Sequence, residues 1–161
     1  MSESKEKLPP FDYSKVEKTM TESERFVLEE RFLYRLADVF TSGDISPVAG
    51  LIAKRFVYDV IPQASRPIKN RDVFFLYLHD VIERMKERKN KFNSVMMYRR
   101  DTKKPHLMFS PKCAPDGSFG VFSADLNNAG KVKELRLCPS SILDLEYKSR
   151  DDFKRFLKNL K

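Results

Sequence analysis

Few residues in this chain combine a type and a spacing that could do chemistry. There are two histidines, His79 and His106, and two cysteines, Cys113 and Cys138. Neither cysteine has a Cys or His nearby at metal-ligand spacing, so no metal site is readable and no cofactor is implied. Cys113 sits in a Pro-Lys-Cys-Ala-Pro run. A thiol there needs a positioned base to act as a nucleophile, and none is visible. Two free thiols in a reduced compartment are expected rather than a disulfide. His79 lies on a predicted helix one turn before Glu83, a spacing that pairs side chains, while His106 falls on a predicted strand. Each reads as an ordinary surface or boundary histidine.

The charges and the large apolar residues say more. The net charge is +8, which favours acidic partners only if it is focused on one surface. Arg84, Lys86, Arg88, Lys89 and Lys91 end one predicted helix, where cations suit the helix dipole. Arg99, Arg100, Lys103 and Lys104 mark a hairpin. A nucleic-acid groove would interleave such charges with exposed aromatics. Tyr98 stands alone in that role, so nucleic acid is not expected as a partner, and neither is a membrane. Phe56, Tyr58, Met97, Met108, Phe109 and Phe122 are among many large apolar residues on predicted strands. They support two compatible readings, a deep apolar pocket and a filled core with a sheet-to-sheet dimer face, because alternate residues serve opposite faces.

The elements that position these residues can be read in order. The 161 residues, 41% of them hydrophobic, suit one domain with a sizeable core. No apolar run is long enough to span a bilayer. The N-terminal residues lack a signal-peptide core, which makes a cytoplasmic location the default. Residues 1–20 read as a mobile arm, 21–139 as the domain, and 140–161 as a linker and an amphipathic helix. Thr21 and Glu24 form a capping box before a long helix, whose stripe is Leu28, Phe32, Leu36 and Phe40. Ser46-Pro47 reads as a cap and first turn. Residues 56–61 read as a strand, with a return at Pro67-Ile68. Asn70 caps a helix with Phe74, Leu78, Val81, Ile82 and Met85 at helical spacing. Four further strands follow. The last is irregular, and a bulge is expected near Lys133. Ser149 then caps a basic helix with Phe153, Phe156, Leu157 and Leu160 on one side.

This order, with Gly43-Asp44-Ile45 ending the first helix and Ile68-Lys69-Asn70-Arg71-Asp72 opening the third, resembles the nuclear transport factor 2-like superfamily. That group includes ketosteroid isomerases, scytalone dehydratase and SnoaL-like cyclases. The resemblance implies an α+β cone, in which a curved, mostly antiparallel sheet is wrapped by N-terminal helices, here with an extra C-terminal helix. It also implies a homodimer through the sheet face and a pocket at the wide end. Phe32, Leu36, Phe40, Tyr58, Val60, Leu78, Met97, Phe109 and Phe122 are its expected lining. The isomerases' general base aligns on or beside Val60, with Asp59 one residue earlier, and the two point to opposite faces. With Asp59 inward, apolar walls would raise its pKa toward that of a useful base. His106 or His79 could then complete a dyad with Asp59 or Asp125 like that of scytalone dehydratase, and Asp59 and His106 are the candidate catalytic pair. The isomerases' oxyanion donors align with Leu36 and approximately Phe122, neither of which can donate a hydrogen bond. Three functions follow in order: a pocket for a small apolar molecule without an evident catalytic set, a dimerising interaction module, and an isomerase, dehydratase or cyclase using Asp59.

Overall fold

The computed structural model describes residues 20–62, 66–111 and 116–160. The expected N-terminal arm lies outside them, apart from Met20, and so does Cys113. Helix α1 (Glu22–Ser42) opens on the capping box: Thr21 Oγ1 accepts from the Glu24 amide at 3.1 Å, and Glu24 returns the bond to the Thr21 amide at 2.9 Å. It ends at Gly43, whose φ of 76° suits a residue without a Cβ. Helix α2 (Ser46–Ala49) starts differently from the sequence expectation. Ser46 is its first helical residue rather than its cap, and the Asp44 carboxylate accepts from the Ser46 amide and hydroxyl at 3.0 and 2.8 Å. A charged acceptor makes the stronger of the two possible bonds.

Strand β1 (Ile52–Val60) is followed by the return, where Tyr58 and Ile68 exchange backbone bonds of 2.7 and 2.9 Å. Helix α3 (Arg71–Glu87) is capped by Asn70, which accepts from the Asp72 and Val73 amides. Strands β2 (Asn93–Arg99), β3 (Pro105–Ser110), β4 (Gly120–Leu126) and β5 (Val132–Pro139) form an antiparallel run. β1 joins its edge parallel to β5. The expected bulge is present: Asp125 opposes Glu134 and Leu126 opposes Val132, so Lys133 is the extra residue. It returns Val132 and Leu135, an odd number of residues apart, to one inward face.

Strand β6 (Leu145–Tyr147) adds to the far edge, giving the order β1-β5-β4-β3-β2-β6. To reach β2 from β5 the chain crosses the outer face of the sheet, the face away from α1. There Leu143 and Leu145 pack on Val95, Met97, Met108 and Val121. Helix α4 (Arg150–Lys158) follows, capped by Ser149 on the Asp152 amide at 3.1 Å. Its Phe156 is buried in the same cluster with Phe153 half-buried beside it, while Leu157 and Leu160 are exposed. The fold is therefore α+β, with four helices and a six-stranded, curved, unclosed and mostly antiparallel sheet. Helices α1 and α3 cover the inner face, and the chain's own C-terminal segment covers part of the outer one.

Candidate functional site

The inner face of the sheet does not close fully on its helices. A cavity of about 490 Å³ remains between α1, α3 and the sheet, within the size range of small-molecule sites. α1 contributes Leu36 and Phe40, and β1 contributes Tyr58 and Val60. Phe109, Phe122, Leu135 and Leu137 come from the following strands. α3 lends Phe74, Leu78, Val81 and Met85 from its inward side.

One wall is a near-parallel aromatic cluster drawn from four parts of the chain. Phe40 stacks on Phe92 at 4.7 Å and on Phe122 at 5.9 Å, and Phe109 lies 5.4 Å from Phe92 and 4.8 Å from Phe122. Opposite, Tyr58 meets Phe74 at 5.1 Å and Tyr77 at 5.5 Å. Such contacts hold each ring in place, so the wall is rigid rather than collapsible. Tyr77, Arg84, Arg88, Asn90 and Pro111 are the exposed members of the lining and mark where the cavity opens.

Seven of the nine residues expected to line a pocket do line this one. Phe32 is packed in the core beside it, and Met97 points to the outer face, into the cluster with Phe156. Both follow from register: Met96 and Tyr98 take the inward positions of β2, so Met97 cannot.

The candidate catalytic residues are not brought together there. Tyr58 and Val60 both line the cavity, so Asp59 between them points outward, where its register partner on β5 is Arg136. His106 is also on the outer face, opposite Met97. With β5 and β4 between their strands, the two are at least roughly 14 Å apart, three strand spacings. His79 is exposed on α3. Asp125 pairs with Lys104 at 3.0 Å, and Lys104 also holds the buried Glu29 of α1 at 2.6 Å. Burial lifts the Glu29 carboxyl above its usual range while Lys104 draws it back.

His106 has a definite structural role. Its Nδ1 lies 3.0 Å from the Lys104 carbonyl, an acceptor, so Nδ1 carries the proton. Burial lowers its pKa to about 4, and the ring is neutral. Cys138 is a free thiol whose pKa burial pushes up, the opposite of what a nucleophile needs. No carboxylate, imidazole or thiol lines the cavity among the described residues, and no cluster of His, Cys, Asp or Glu there could hold a metal ion.

Sequence reasoning missed several lining residues. Leu135 and Leu137 were legible as alternating apolar positions, but only a knowledge of which face was inward assigns them. Phe92 precedes β2 and is carried to the cavity by the loop after α3. Arg84 and Arg88 were read only as helix-end cations.

In structural comparison the fold is that of the nuclear transport factor 2-like and SnoaL-like proteins. A SnoaL-like protein of unknown function from Burkholderia thailandensis superposes with a TM-score of 0.51 at 8% identity, over 74% of this chain and 97% of its own. Bal32a, from a soil-derived mobile gene cassette, gives 0.50 at 16% identity, over 73% of this chain and 90% of its own. A nuclear transport factor 2-like protein of unknown function from Exiguobacterium sp. 255-15 gives 0.46 at 17% identity, covering 67% and 97%. At these identities the likeness is one of fold. No family model matches the chain, and no curated protein matches it in sequence.

Proposed function

We propose that this chain binds a small, largely apolar molecule in the cavity between α1, α3 and the sheet. The observation that carries the reading is the lining itself: stacked aromatic and aliphatic side chains inside, with the charged groups only at the opening. Such a site gains affinity from apolar area removed from water, at roughly 25 cal/mol per Å². It supplies no general acid or base to a bound substrate, since its lining holds no carboxylate or imidazole among the described residues.

Nile red, a neutral apolar dye whose emission rises on leaving water, tests this directly. The protein is expected to bind it at one site per chain. Val60→Trp, which adds bulk at a half-buried lining position, is expected to weaken that binding by about tenfold, or 1.4 kcal/mol, while leaving a cooperative thermal transition. Dye binding that is absent, or unaltered in a folded Val60→Trp variant, overturns the reading.

A further inference from the structure

The polarity of the cavity has a direction, and that direction specifies the ligand more closely. Along α3 the side turned to the cavity begins with Phe74 and Leu78, passes Val81 and Met85, and ends in Arg84 and Arg88. These two arginines are four residues apart, hence neighbours on one helix face. They are the only charged residues among the described lining, and no carboxylate accompanies them.

Cations near a helix C-terminus have an ordinary explanation in the dipole. That explanation does not require them to face the cavity, and the rest of the helix end carries mixed charge. Glu83 and Glu87 sit among Lys86 and Lys89 there and do not line the cavity. The cavity side alone is purely cationic.

Asp80 reaches Arg84 at 3.2 Å, with both side chains more than half exposed (53% and 68%). A pair so open to water is weak and can exchange partners. Arg88 has no acidic partner among the described residues, and Asn90 adds an amide donor beside it. Guanidinium groups bind carboxylates through paired parallel bonds. An apolar slot ending in two of them fits an apolar chain with an anionic end.

We infer that the cavity takes a single-chain amphiphile with a carboxylate head of the fatty-acid class, its chain against the aromatic wall and its head at Arg84 and Arg88. The inference rests on the proposed pocket and adds the charge and polarity of its occupant.

Displacement of Nile red by decanoate and by decan-1-ol, each below micelle-forming concentration at neutral pH, separates the two claims. The ligands share a chain and differ in head charge. Decanoate is expected to bind about tenfold more tightly than decan-1-ol, with the advantage shrinking as salt rises. In the double variant Arg84→Gln, Arg88→Gln, decanoate is expected to fall to the level of the alcohol. Decan-1-ol, unchanged, reports that the variant is folded. Equal affinities in the native protein, or a decanoate preference that survives the double substitution, overturn the inference and leave the apolar pocket standing. Failure of both ligands to displace the dye overturns the pocket and the inference together.

Discussion

The two faces of one sheet have been treated in opposite ways. On the outer face, Val95, Met97, Met108 and Val121 are covered by the chain's own crossover, through Leu143 and Leu145, and by Phe156 of α4. Space there is filled, and Phe119 meets Phe156 edge-on at 5.3 Å. On the inner face, side chains of the same kind hold a cavity of about 490 Å³ open. The difference is not one of hydrophobicity. It lies in the partners: flexible aliphatic and methionine side chains under a helix pack to interior density. A four-ring aromatic wall braced by its own stacking has no such freedom to close.

That contrast predicts unequal costs for similar truncations. Phe156→Ala removes a ring that is 1% exposed from a filled face and is expected to destabilise the protein by about 3–5 kcal/mol. Phe109→Ala removes a ring that already borders empty space, so fewer contacts are lost, and a cost of about 1–3 kcal/mol is expected, with Nile red affinity also altered. Urea unfolding of the two variants checks this. Equal losses would mean that the cavity wall is as tightly supported as the filled face.

The outer face also holds the histidine, which makes its stability sensitive to acid. Because burial lowers the His106 pKa to about 4 from 6.5, the unfolded chain binds a proton between these values that the native protein refuses. Stability is therefore full above about pH 6.5 and falls as the pH drops toward 4, by about 3 kcal/mol in all. The midpoint of urea unfolding, followed from pH 7 to 4.5, should show this fall. His106→Asn, which keeps a donor for the Lys104 carbonyl but does not titrate, should flatten the curve relative to the native protein. A parallel fall in the variant would assign the loss to other groups.

The smallest expected effect concerns a second copy of the chain. The homodimer anticipated through the sheet face has the β1, β5 and β4 end of the outer face to use, since the crossover and α4 occupy the other end. Arg136, near the middle of that end, carries a buried Nε without a partner in the single chain. A second copy that supplies an acceptor there would gain a charged hydrogen bond. Light scattering at increasing concentration is expected to show a dimer, and Arg136→Ala to weaken it by about tenfold. A monomer throughout would mean that this face needs no second copy.

What the sequence determined by itself is local. The capping box at Thr21 and Glu24, the caps at Asn70 and Ser149, and the bulge at Lys133 are all present as read. Each depends on hydrogen bonds or periodicity within a few residues, so each leaves its pattern there. The short strand β6 escaped notice because a three-residue strand has no alternation to read. The site was decided at longer range. Asp59 and Val60 exchange faces on a one-residue slip of β1, and only its parallel pairing with β5, more than seventy residues later, sets the register that turns Val60 inward. Arg88 looked like a helix-end cation until the packing of α3 across the sheet brought it to the mouth of a cavity. Local chemistry shaped the elements, while register and packing between distant segments chose the residues that meet a ligand.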